Sequence, residues 1–140
     1  MQQQIIVEWA PELTKEKLEK ACLEYGAEGV IEEFKGKWTP DNPTAYYCWV
    51  VTEVAYRLVT PKGTTAWVIY YGGMRRHYFL KDPEGNIIDL TFGQFRYLQD
   101  IPDYSRAVPY QFWPKMSNRG KRLATLLGIM TESGLVKGKR

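Results

Sequence analysis

The sequence predicts an α+β fold: N-terminal helices packed on an antiparallel β-sheet, closed by a basic C-terminal helix. Three observations carry that reading. Apolar residues recur at helical spacing through residues 12–25 and 45–59. The pattern then changes to β-branched and aromatic runs cut by turn residues between 65 and 90. A last helical stripe of Leu123, Leu126, Leu127 and Met130 follows Ser117, a residue suited to an N-cap.

The elements follow in order. Ile5-Ile6-Val7-Glu8-Trp9 reads as a short strand or an extended lead-in. Pro11 stands where a first helical turn tolerates proline. Leu18, Ala21, Cys22 and Tyr25 form the apolar stripe of the first helix, and Gly26 ends it. Val30, Ile31 and Phe34 suggest a further amphipathic turn or two. Residues 36–44 hold two prolines and an Asp-Asn pair, which break regular structure, and Asn42 or Thr44 is expected to cap what comes next. The second helix is expected over 45–59 on the stripe Cys48, Val51, Ala55, Leu58, stopped by Pro61-Lys62-Gly63.

Three strands are expected at 65–71, 76–80 and 87–90. Gly72-Gly73 turns between the first two. Asp82-Pro83-Glu84-Gly85-Asn86 turns between the others, because proline presets φ and glycine reaches positive φ. Residues 101–114, with three prolines, read as a long irregular loop held by aromatic packing. Residues 134–140 are expected to be a mobile tail. The chain of 140 residues is read as one domain, 1–140.

Composition narrows the function. No apolar run approaches the roughly 18 residues of a membrane span, and the N-terminus lacks the basic and apolar regions of a secretory signal. With two cysteines there is no disulfide framework, so a reducing, cytoplasmic setting is expected. Residues 115–140 carry seven basic residues and one acid, a balance of +6. The chain as a whole is +3, which leaves −3 for residues 1–114. Such a tail fits nucleic acid, a membrane surface or an acidic partner, but the preferred reading is a solvated helix and a frayed end. No glycine pattern precedes a helix as a nucleotide loop requires, and no cofactor is expected.

Three residues carry the candidate chemistry: Cys48, His77 and Asp89. A helix N-terminus and an adjacent imidazolium both stabilise a thiolate, and the dipole reaches about one turn. His77 is the chain's one histidine, on the strand before the one that bears Asp89. If Lys81 pairs with Ile87 across a five-residue loop, Phe79 faces Asp89 and His77 lies diagonal to it on the same sheet face. Cys48 would then attack a carbonyl, His77 would move the proton, Asp89 would fix the imidazole tautomer, and the Cys48 N–H would donate to the oxyanion. Plainer roles stand beside these. Cys48 on an apolar face is also a small core residue, as Cys22 is expected to be. His77 is also a strand histidine whose pKa Arg75 and Arg76 would lower. The three side chains are also zinc-ligand types, but without the short spacings of a metal site, and no metal is expected. Trp38, Trp49, Trp113, Tyr104 and Tyr110 are candidates to line a substrate groove, or are core aromatics.

Tyr47-Cys48-Trp49-Val50-Val51-Thr52, Arg76-His77-Tyr78-Phe79, and the run from Asp82-Pro83-Glu84-Gly85-Asn86 through Ile87-Ile88-Asp89-Leu90-Thr91 to Gln94-Phe95 resemble the YunG-like family of small bacterial and phage proteins. That family is similar to papain-fold (NlpC- and transglutaminase-like) cysteine peptidases, and the resemblance spans residues 47–95. It implies a papain-like core and a thiol hydrolase or acyltransferase acting on an amide, isopeptide or ester carbonyl of a protein or peptide. Papain-type sites place a glutamine for the oxyanion just before the cysteine, where this chain has Tyr46-Tyr47. Asn42 and Gln94 are the candidates to replace it. The alternative function is an interaction module of the phage or mobile-element inhibitor type, keeping the fold without turnover and using the basic tail on an acidic partner or nucleic acid.

Overall fold

A computed structural model describes residues 4–71 and 75–131. It is α+β: three helices and a five-stranded sheet among the described residues. The strands are β1 (Ile5–Ile6), β2 (Thr65–Tyr70), β3 (Arg76–Lys81), β4 (Ile87–Ile88) and β5 (Val108–Tyr110), in the spatial order β1-β4-β3-β2-β5. The helices are α1 (Lys15–Tyr25), α2 (Cys48–Leu58) and α3 (Asn118–Leu126).

Each helix end has a physical cause. Thr14 caps α1 by accepting from the Lys17 amide, after a short 3-10 turn at Pro11–Leu13. Gly26, at φ +64°, ends α1, a conformation that costs glycine nothing. Ser117 caps α3 through the Gly120 amide, and its own hydroxyl bonds to the buried Glu53 of α2. Glu53 also pairs with Arg57 at 3.0 Å, so a buried acid fastens α3 across α2.

The β3–β4 register is Lys81↔Ile87 and Leu80↔Ile88, the five-residue loop expected from the turn sequence. Asp82 builds that loop: its Oδ1 accepts from the Glu84 and Asn86 amides, and Gly85 takes φ +87°. Strand alternation gives the sheet two unlike faces. Ala66, Leu80 and Ile88 face the helices and join Leu13, Leu18, Val51, Val54 and Leu123 in the main core. Full burial of each large apolar side chain contributes roughly 1.5–3 kcal/mol. Ile69, Phe79 and Ile87 pack on the other face with Trp67, Tyr104 and Ala107.

The structure corrects several expectations. The sheet is mixed, because β1 runs parallel to β4. β5 lies inside the stretch expected to be an irregular loop; Pro109 fits there because β5 is an edge strand, paired only with β2. β4 is two residues long rather than four. α2 starts at Cys48, three residues later than expected, and neither Asn42 nor Thr44 caps it. The Gly72-Gly73 turn and the tail from residue 134 lie outside the described residues.

Candidate active site

The late start of α2 makes Cys48 its first residue. Tyr47 anchors the approach. Its phenol, fully buried, donates to the Gly26 carbonyl, where α1 gives way to a short 3-10 turn. Gly29 makes this possible, since a Cβ there would collide with the Tyr47 hydroxyl. Tyr46 sits at φ +68°, a region that costs a bulky residue about 1–3 kcal/mol. Its ring stacks on Phe34, with centroids 5.0 Å apart. The two tyrosines that stand where the papain pattern has glutamine thus bend the chain and pin the start of the helix. Neither effect leaves a periodic signal in the sequence.

As first residue of α2, Cys48 has an N–H with no acceptor inside the helix, and its sulfur lies in the strongest part of the helix field. The thiol sits 3.7 Å from the Arg76 carbonyl, packed against Val68 and Tyr78. It lines the same cavity as His77, and its charge helps to raise that ring's pKa.

His77 is 2% exposed and lies on the sheet face away from α2, with Phe79. Its Nε2 is 2.7 Å from Asp89 Oδ2. That leaves Nδ1 as the ring nitrogen available to the sulfur. Phe95 meets the imidazole edge-on at 4.9 Å, which fixes the ring plane. Burial pulls the His77 pKa down. The Asp89 carboxylate, by charge and hydrogen bond, and then Cys48, more than reverse this and raise it to about 10. The expectation that Arg75 and Arg76 lower it is therefore corrected. Alternation puts Arg76 on the opposite sheet face, exposed, with its guanidinium over Tyr70.

Asp89 is 1% exposed. The parallel pairing with β1 holds its backbone, through Asp89 N–H to the Ile6 carbonyl at 2.9 Å. Tyr104 donates to the same Oδ2 that His77 bonds. Burial and the Asp89 charge push the Tyr104 pKa upward, so the phenol stays a donor. The sequence offers Tyr104 as a groove or core aromatic; fifteen residues separate it from Asp89, and no local pattern links them.

Cys48 and His77 open onto a cavity of about 930 Å³. Asn42, Gln94, Trp49 and Tyr110 line it too. The Asn42 amide donates to the Gln94 carbonyl at 2.9 Å and its Oδ1 accepts from Arg96. Gln94 Nε2 donates to Thr91 at 2.9 Å. The Asn42 side chain therefore ties the 42 and 94 loops together, while that of Gln94 bonds within its own loop. Trp49 donates its indole N–H to the Tyr110 hydroxyl at 2.9 Å on the cavity wall. Trp38 and Trp113 are not on that wall. Trp38 is half-buried and bonds the Pro43 carbonyl, while Trp113 is exposed beside a smaller hollow with Glu53 and Lys115.

Among the described residues, no three His, Cys, Asp or Glu side chains gather as a metal site, and no helix is long and apolar enough to cross a membrane. No family model, curated protein or solved structure matches this chain.

Proposed function

We propose that this chain is a papain-like thiol enzyme, a hydrolase or acyltransferase that acts on an amide, isopeptide or ester carbonyl through an acyl-cysteine at Cys48. The observation that carries the reading is the 2.7 Å bond between His77 Nε2 and Asp89, made by a histidine that shares its cavity with the thiol at the head of α2. Membership of the YunG-like family belongs to the same proposal. So does a reducing, cytoplasmic setting, which keeps two free cysteines reduced.

The chemistry follows from the geometry. With the imidazole pKa raised to about 10, His77 holds a proton at neutral pH and can pass it on during the reaction. The sulfur attacks the carbonyl carbon, and the C=O electron pair moves onto oxygen, towards the Cys48 N–H. The intermediate collapses, the C–N or C–O bond breaks, and His77 gives its proton to the leaving group. Water or an acceptor amine then attacks the thioester. His77 takes a proton from that nucleophile and the thiolate leaves. Asp89 holds the Nε2–H throughout and so selects the tautomer. Trp49, Tyr110 and the Tyr46–Phe34 stack give the cavity an aromatic wall suited to a peptide side chain.

The test is acylation by p-nitrophenyl acetate, followed by peptide mass spectrometry. An acetyl group on Cys48 in the wild type, absent in Cys48→Ala together with the release of p-nitrophenolate, is the expected outcome. Equal release by both proteins sinks the proposal and leaves the interaction module as the better account.

A further inference from the structure

We infer that the Tyr71 hydroxyl is an oxyanion donor of this site, taking the place of the glutamine that precedes the cysteine in papain-type enzymes. The inference rests on the thiol-enzyme reading and adds to it a catalytic group at the end of β2.

Tyr71 lines the same cavity as Cys48 and His77. Its hydroxyl oxygen is buried and has no hydrogen-bond partner among the described residues. A buried hydroxyl left unpaired costs about 1–3 kcal/mol, and native structures leave few. The other polar side chains considered for the oxyanion each already hold a protein acceptor: Asn42 on the Gln94 carbonyl, Gln94 on Thr91. Tyr71 alone among these three spends nothing in the resting site.

Its placement is fixed from two sides. The Tyr71 amide donates to the Arg75 carbonyl at 3.0 Å, and the Arg75 guanidinium lies 5.8 Å from the ring centroid. Burial, and then the charge of Cys48, its largest electrostatic neighbour, push the phenol pKa up to about 12. The group therefore remains an O–H donor throughout the neutral range, on the wall of the cavity that Cys48 also lines. A donor unsatisfied in the ground state and paired in the transition state lowers the barrier rather than tightening substrate binding.

The step balances simply. As sulfur bonds to the carbonyl carbon, the C=O π pair becomes a lone pair on oxygen. The Tyr71 O–H and the Cys48 N–H donate to that oxygen, and neither gives up its proton. When the intermediate collapses, the pair returns to C=O and the leaving group departs with the His77 proton.

Two reactions of the same sulfur separate the possibilities. Acylation by p-nitrophenyl acetate passes through an oxyanion; alkylation by iodoacetamide does not. Tyr71→Phe is expected to slow acylation of Cys48 by about 10²-fold. Its iodoacetamide rate should match wild type and its thermal midpoint should be no lower, since the lost oxygen was buried without a partner. Unchanged acylation overturns the inference. Parallel loss of both rates also overturns it, because Tyr71 would then act through the Cys48–His77 pair. If wild-type acylation persists in Cys48→Ala, the underlying thiol-enzyme reading has failed instead.

Discussion

Cys22 and Cys48 carry the same side chain into opposite surroundings. Cys22 lies in the third turn of α1, fully buried between Leu18 and the main core. Burial, and then the Glu19 carboxylate, push its thiol pKa far above the ordinary value near 8.5. Cys48 opens α2, keeps a little solvent contact at the cavity wall, and has an imidazole rather than a carboxylate for a neighbour. Cys22 is thus held inert by low dielectric and negative charge, whereas Cys48 lies at a helix head on the cavity that His77 also lines. Position along the helix decides between them. A cysteine in mid-helix meets apolar side chains, while one at the first residue meets unpaired amides.

The largest effect expected from this contrast is in alkylation. With iodoacetamide at pH 7, Cys48 should react more than about 10²-fold faster than Cys22 in the folded protein, as read by peptide mass spectrometry. His77→Gln should remove most of the Cys48 advantage and leave Cys22 untouched. Comparable rates at the two cysteines would break the comparison.

Next in size is the contribution of Asp89. Asp89→Asn keeps the shape of the side chain but removes the charge that does most to raise the His77 pKa. The alkaline limb of the Cys48 reactivity profile, where the imidazolium is lost, should move down by more than about one pH unit. Stability should follow with a definite sign. His77 has a folded pKa raised from 6.5 to about 10, so its contribution is complete below about 6.5 and fades as pH rises through about 10. Urea unfolding should show wild type ahead of Asp89→Asn by a few kcal/mol at pH 6, with the gap narrowing towards pH 10. A gap that widens with pH contradicts the sign of the ion pair.

The two cysteine environments were unequally legible in the sequence. The stripe Leu18, Ala21, Cys22 has the period of a buried helical face, so the inert site could be read directly. The His77–Asp89 bond was also within reach, because the Asp82-to-Asn86 turn fixes loop length, and loop length fixes which sheet face each residue takes. The start of α2 was not. It depends on a tyrosine at positive φ and on a phenol reaching back to α1, and neither leaves a periodic signal. β5 was hidden for a similar reason: three residues with a central proline are a strand only because β2 offers them an edge. Nor did alternation alone show how Cys48 would meet His77. The helix packs on one sheet face and the imidazole belongs to the other, so they meet only at the end of β3, beside the Arg76 carbonyl.

Tyr104 gives the smallest and most discriminating effect. Its phenol shares Asp89 Oδ2 with His77 and so draws off part of the carboxylate's charge. Tyr104→Phe leaves Asp89 with one fewer donor, and its charge acts more fully on the imidazole. The alkaline limb of Cys48 alkylation should therefore move up, opposite to its movement in Asp89→Asn, by less than about one pH unit. A general loosening of the site would move both variants the same way, since disorder weakens the ion pair whichever partner is lost. Opposite shifts measured on the same iodoacetamide profile would show that Asp89 acts through its charge. Shifts of one sign would reduce Tyr104 and Asp89 to packing and hydrogen bonding around a histidine with no thiol to serve.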